Sequence, residues 1–64
     1  MEIIKLSKFV GLDITAARDL AASKSLKTRI INIDGKPLKV TDNRMSDRIN
    51  FTIIDNVVTF ATVG

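Results

Sequence analysis

A long polar run lies at the centre of this chain. Residues 40–50 read Val-Thr-Asp-Asn-Arg-Met-Ser-Asp-Arg-Ile-Asn, and they show neither a helical nor a strand period before they merge into an apolar strand. Ordering each residue of a loop costs roughly 1–2 kcal/mol, and long loops are uncommon in compact domains. In a chain of only 64 residues, such a stretch predicts a loop that is kept for its function.

The length and composition predict one small domain that covers residues 1–64. A chain of 64 residues buries only about 60% of the surface that its unfolded form exposes. The hydrophobic fraction of 45% is high enough for a packed core. The absence of Cys and His makes the protein disulfide-free, removes the common neutral-pH base and practically excludes a zinc site. We therefore expect no metal and no cofactor.

The charge pattern argues against a nucleic-acid-binding protein. The net charge is +3, with 10 basic and 7 acidic residues, and the chain has three Phe but no Trp or Tyr. Nucleic-acid binders usually concentrate basic residues and offer aromatic rings for stacking. A weak nucleic-acid site around Lys24, Lys27 and Arg29 stays open as a minor alternative, and its binding would depend on salt.

Signals for targeting are weak at the start of the chain. Residues 1–8 hold no long apolar run and no cleavage site of small residues, so we see no signal peptide. No segment approaches the length of a membrane span, and we expect no membrane partner. The compartment stays open, because the protein could be cytoplasmic or secreted as a processed form.

One helix precedes the polar run. Asp13 is a good N-cap, since its carboxylate can accept hydrogen bonds from the free backbone N–H groups at a helix start. The Ala-rich segment 14–24 follows, with an apolar face at helical spacing. This face comprises Ile14, Ala17, Leu20 and Ala21. Its small residues allow the helix to lie close to a sheet.

Three strands complete the predicted fold. Residues 28–33 form a β-branched run that is nearly apolar on both faces, which favours a central or parallel-paired strand. Residues 49–53 alternate as a half-buried strand does. Asp55-Asn56 predicts a tight primed hairpin turn into the returning strand 57–63. The fold class is therefore α+β, with a single helix packed on a small mixed three-stranded sheet.

The connection between the first two strands has no helical pattern. If these strands run parallel, the chain must cross over between them, and residues 36–47 then form an extended, exposed arm. Pro37 stiffens the start of this arm.

Several short motifs occur in the order found in one known family. They are Phe9-Val10-Gly11 before the helix, the Ile30-Ile31 strand, the pair Asp47-Arg48 that opens the second strand, and the terminal Val63-Gly64. In this order the chain resembles the potato inhibitor I family of serine protease inhibitors over nearly its whole length. The run Asp47-Arg48-Ile49-Asn50 is closer to the Asp-Arg-Leu-Asn of the related peptidase inhibitor I78 family.

The resemblance implies that the polar run is a rigid loop that lies in the cleft of a serine protease like a substrate. The protease-binding residues would be Val40, Thr41, Asp42, Asn43, Arg44 and Met45. On the family pattern Asp42 takes the specificity position (P1), Thr41 the position before it and Asn43 the position after it. The reactive bond would be Asp42–Asn43. Arg48 matches a family arginine that supports the loop from below, and Asn50 replaces a second one, as in the I78 family.

The identity of the specificity residue leaves alternatives for the target. Well-known family members carry a large apolar residue there, whereas an unpaired Asp42 would be costly to bury. A protease that favours acidic residues fits better. In a shifted register Arg44 or Met45 would be the specificity residue, and Arg44 would indicate a trypsin-like enzyme.

Simpler interpretations exist for the same residues. Asp47 and Arg48 could form a solvated pair of little energetic value, and Asp42-Asn43 could be an ordinary turn. A non-inhibitory module that holds a partner protein by the loop or by an exposed sheet edge is the second functional hypothesis. An enzyme is not expected, because Ser25 and Ser46 have no base to activate them.

Overall fold

The computed structural model describes residues 5–64 and has an α+β architecture. One helix packs against one face of a mixed sheet with the strand order β2-β1-β3-β4. The elements are a 3-10 turn at Leu6–Lys8, helix α1 at Ile14–Ser23, and strands β1 at Lys27–Ile33, β2 at Lys36–Pro37, β3 at Arg48–Ile54 and β4 at Val57–Val63. The predicted fold class is confirmed at this level. Residues 1–4, which the search for a targeting signal included, lie outside the described residues.

The prediction of three strands is wrong, because a short fourth strand pairs with the edge of β1. Asp34 and Gly35 both have positive φ, 51° and 82°, and form a two-residue turn that sets Ile33 opposite Lys36 in antiparallel register. Asp-Gly is a preferred pair for this turn. The strand is only two residues long and ends at Pro37, which has no N–H to donate. It is therefore too short to show an alternating period.

The helix begins as predicted and ends one residue earlier. The Asp13 carboxylate accepts a hydrogen bond of 2.7 Å from the N–H of Ala16, so it caps the first turn. At the other end the N–H of Leu26 bonds the carbonyl of Ala21 at 2.9 Å, and Ser25 has a φ of 58°. These are the features of a Schellman motif with a left-handed residue after the cap. The helix therefore stops at Ser23.

The core lies between α1 and one face of the sheet. Ala17 and Ala21 have no exposed surface, which lets the helix approach the sheet closely. The sheet contributes alternate residues of its central strand, and the rings of Phe9 and Phe51 pack with their centroids 5.6 Å apart. The fully buried large side chains are Phe9, Ile49, Phe51, Ile53 and Val58. Their burial is the main source of stability for a chain without disulfides.

Strand β1 lies inside the sheet and runs parallel to β3, which agrees with the expectation of a central or parallel-paired strand. Lys27 lies opposite Arg48 and Ile30 opposite Phe51. Because parallel strands start at the same end of a sheet, the chain must return along the full strand length between β2 and β3. Residues 38–47 make this return with no helix or strand of their own. We call residues 38–47 the central loop.

Strands β3 and β4 form the predicted hairpin. Asp55 and Asn56 have φ values of 53° and 67°, as a primed turn requires, and Ile54 lies opposite Val57. The outer edge of β4 is partly covered at its start, where the N–H of Val58 bonds the carbonyl of Leu12 at 2.8 Å.

The face of the sheet away from the helix carries polar residues at one end. Since side chains alternate along a strand and Ile49 and Phe51 face the core, Asn50 faces the opposite side. The register sets Arg29 of β1 and Thr62 of β4 beside Asn50. This open face lies next to the central loop.

Candidate functional site

The outer part of the central loop is exposed along its length. Residues 38–44 are all exposed, and Met45 is half-buried where the chain turns back toward β3. The predicted loop residues Val40, Thr41, Asp42, Asn43 and Arg44 therefore all face solvent. Neither Asp42 nor Arg44 has a hydrogen bond or ion-pair partner within residues 5–64.

Arg29 holds the first half of the loop. Its Nη1 donates to the carbonyl oxygen of Thr41 at 3.0 Å and lies 3.4 Å from the Thr41 hydroxyl. Its Nε donates to Oδ1 of Asn50 at 2.9 Å, which fixes the guanidinium over the open face. The Thr41 hydroxyl in turn donates to Oδ1 of Asn43. The planar guanidinium suits this task because its donors point in fixed directions.

Arg48 holds the second half from inside the protein. Only 8% of its surface is exposed. Its Nη2 donates to the carbonyl oxygens of Asn43 at 2.6 Å and Gly64 at 2.7 Å, and Nη1 lies 3.3 Å from the sulfur of Met45. These hydrogen bonds from a charged donor are stronger than neutral ones.

The buried guanidinium of Arg48 is only partly satisfied by hydrogen bonds within the described part of the chain. Its acceptors are the Asn43 carbonyl oxygen, an oxygen of Gly64 at the end of the sequence, and a thioether, and its Nε is buried without a hydrogen bond among residues 5–64. Removing a cation from water costs several kcal/mol. The hydrogen bonds of Arg48 offset part of this cost, and they tie the side chain both to the loop at Asn43 and to Gly64.

Backbone bonds anchor the end of the loop to the sheet. The Gly64 carbonyl also accepts from the N–H of Met45 at 3.0 Å, and the N–H of Gly64 donates to the carbonyl of Arg48 at 3.0 Å. The N–H of Lys27 donates to the Asp47 carbonyl at 2.8 Å. The side chains of Lys27 and Asp47 lie 4.0 Å apart and are more than half exposed, so this ion pair contributes little.

A solvent-open cavity of about 390 Å³ lies between the loop and the sheet. Residues 40–44 form one side of it, and the other side consists of Arg29, Asn50, Thr62, Val63 and Gly64. The loop therefore stands away from the sheet, and the arginine hydrogen bonds span the gap. It is held at a distance and is not packed onto the body of the protein.

The predicted support residues divide into two roles. Arg48 contacts the loop at the Asn43 carbonyl, whereas the carbonyl of Thr41 is bound by Arg29. Asn50 lines the cavity, and its hydrogen bond goes to Arg29. Arg29 was not predicted to support the loop, since its sequence position placed it with Lys24 and Lys27 in a possible weak nucleic-acid site. The only available signal was an arginine inside a β-branched run, because its neighbour Asn50 follows from the register of the parallel pairing.

Two other expectations bear on the described residues. Residues 5–64 hold no group of three or more His, Cys, Asp or Glu side chains that could bind a metal ion. Within the same residues, none of the helices has both the length and the apolar character needed to cross a membrane.

The chain was compared with models of protein families, with curated proteins and with solved structures, and no match was found.

Proposed function

We propose that this protein inhibits serine proteases by presenting the central loop to the enzyme's cleft as a substrate-like segment, with the reactive bond near Asp42–Asn43. The observation that carries the proposal is the pair of arginines beneath the loop. Arg29 and Arg48 bind the backbone carbonyls of Thr41 and Asn43, while the side chains of residues 40–44 remain exposed.

Such an arrangement favours inhibition for an energetic reason. A flexible peptide loses roughly 0.5–1.5 kcal/mol for each side chain that becomes fixed at an interface. A loop that the protein already holds in place avoids most of that cost and binds more tightly than a free peptide of the same sequence. An extended segment bound along the cleft also gains main-chain hydrogen bonds to the enzyme.

The test is a panel of serine proteases that cleave after acidic, basic or apolar residues. We expect micromolar or tighter competitive inhibition of at least one enzyme, with slow and limited cleavage near Asp42–Asn43 detectable by mass spectrometry. The matched control replaces residues 40–45 with a Gly/Ser segment of equal length, which keeps the fold and removes the binding residues. Absence of inhibition across the panel at micromolar protein contradicts the proposal.

A second candidate function is a non-inhibitory module that binds a partner protein through the sheet. Phe60 and Ile54 are 60% and 51% exposed, and the strand alternation places both on the open face. Exposed apolar residues of this size often mark contact surfaces. This candidate is favoured if a Phe60→Thr substitution abolishes capture of a partner that the Gly/Ser loop variant still binds.

A further inference from the structure

The hydrogen bonds beneath the loop restrict which residue can occupy the specificity pocket of a protease. A serine protease places the carbonyl oxygen of the specificity residue in its oxyanion hole, where backbone N–H donors bind it. The protease also forms backbone hydrogen bonds to alternate residues of the bound segment, as a neighbouring β-strand would. A residue whose carbonyl is already bound by the inhibitor's own arginine therefore cannot occupy the specificity position.

Among the six predicted protease-binding residues, 40–45, two are excluded by this condition. The carbonyl of Thr41 accepts from Arg29 at 3.0 Å, and the carbonyl of Asn43 accepts from Arg48 at 2.6 Å. The residues between and beside them, Val40, Asp42 and Arg44, have carbonyls that the described residues leave free.

The ends of the loop exclude two more residues. If Val40 were the specificity residue, the enzyme would pair with Leu38 two positions earlier, but the N–H of Leu38 bonds the carbonyl of Ile31 at 3.0 Å. Met45 is half-buried, and Arg48 lies against its sulfur at 3.3 Å. Its side chain is therefore not free to enter a pocket.

The choice between Asp42 and Arg44 follows from exposure. A protease covers about two residues on each side of the specificity residue. With Asp42 in the centre that window is residues 40–44, all of which are exposed. With Arg44 in the centre it extends over residues 45–46 and includes the half-buried Met45, whose N–H is bound to Gly64.

We infer that Asp42 is the specificity residue, and that the partner is a serine protease whose specificity pocket carries a cationic side chain. This inference rests on the proposed function. A carboxylate moved from water into an apolar pocket loses its hydration without compensation, whereas an arginine or lysine in the pocket provides a charge-assisted bond. The same charge excludes enzymes whose pocket is apolar or acidic.

The experiment measures inhibition constants of the wild-type protein against three serine proteases, which cleave after acidic, apolar and basic residues. We expect the enzyme with acidic preference to be inhibited on the order of 100-fold more tightly than the other two. Asp42→Leu is expected to transfer inhibition to the apolar-preferring enzyme, and Asp42→Lys to the basic-preferring one. Arg18→Gln, at an exposed position of α1 outside the loop, is the matched control and keeps the wild-type preference. Mass spectrometry is expected to show cleavage after residue 42.

The outcomes separate this inference from the proposed function. If the wild-type protein inhibits the basic-preferring enzyme and Arg44→Gln abolishes that inhibition, the assignment of Asp42 is wrong and the inhibitory function stands. If the Leu and Lys variants inhibit their enzymes but wild type does not inhibit the acidic-preferring one, the loop is inhibitory and the cationic pocket is wrong. If no variant inhibits any enzyme while unfolding curves match wild type, both fail.

Discussion

Replacing Arg48 with methionine separates the order of the loop from the stability of the fold. Methionine has a similar length and fits an apolar site, but it cannot donate hydrogen bonds. Arg48→Met therefore removes the bonds to the carbonyls of Asn43 and Gly64 and also removes a cation that is 8% exposed.

The two consequences for global stability oppose each other. Hydrogen bonds from a charged donor contribute about 1.5–3 kcal/mol each, while a buried ion carries a desolvation cost of several kcal/mol. The acceptors also keep other partners, because Gly64 still accepts from the N–H of Met45 and Asn43 is exposed to water. We expect the free energy of unfolding to change by less than about 2 kcal/mol.

The order of the loop is affected differently, because the lost hydrogen bond to the Asn43 carbonyl is not offset there by the removal of a buried charge. The substitution lowers the free energy of local opening of the loop by the contribution of the hydrogen bond to Asn43. The amide hydrogen of Met45 is then expected to exchange with solvent about 10- to 150-fold faster. The exchange rates of amides in the buried strand β3, such as that of Phe51, change only as much as the global unfolding free energy does. Hydrogen exchange by NMR measures both, and denaturant unfolding gives the global value. Arg18→Met, on an exposed position of α1, is the matched control.

Two results would refute this reasoning. Unchanged exchange at Met45 would mean that Arg48 does not restrain the loop. A loss of more than about 4 kcal/mol in unfolding free energy would mean that the arginine is chiefly a structural residue of the core, as broken buried networks are.

Two further predictions concern the ends of the helix. Asp13→Ala removes the cap on the N–H of Ala16 and is expected to lower the unfolding free energy by about 1 kcal/mol. In calorimetry this lowers the thermal midpoint by about 4–8 °C. An unchanged midpoint would show that the cap is not used in solution. Ser25 has a φ of 58°, so Ser25→Gly is expected to raise the unfolding free energy by about 0.5–1 kcal/mol. Ser25→Ala is the control and is expected to give no such gain, and equal effects of the two would contradict the left-handed assignment.

Features set by neighbouring residues could be predicted from the sequence. The Asp13 cap, the Asp55-Asn56 turn and the helix depend on contacts within a few positions, and the structure contains all three. The nearly apolar character of the first strand favoured a central or parallel-paired position, and the structure has both. The position and exposure of the loop followed from its lack of any period.

Features set by the register of distant strands could not be predicted. Strand β2 exists because a tight turn folds two residues back onto β1, and two residues carry no pattern. Arg29 reaches Thr41 only because the parallel register sets it beside Asn50. A sequence shows that Arg29 is basic, but the partner of its guanidinium depends on how β1 and β3 align.

The parallel pairing of β1 and β3 has a consequence for the chain's connectivity. The peptide bond between residues 42 and 43, inside the central loop, is the only covalent link between residues 1–42 and 43–64. These two pieces contribute the adjacent strands β1 and β3 to one sheet. Made as separate peptides, they would have to associate before either could complete the core, since Ala17 and Ala21 belong to one and Phe51 to the other. Folding would become bimolecular and dependent on concentration, and the break between the pieces would lie at the proposed reactive bond.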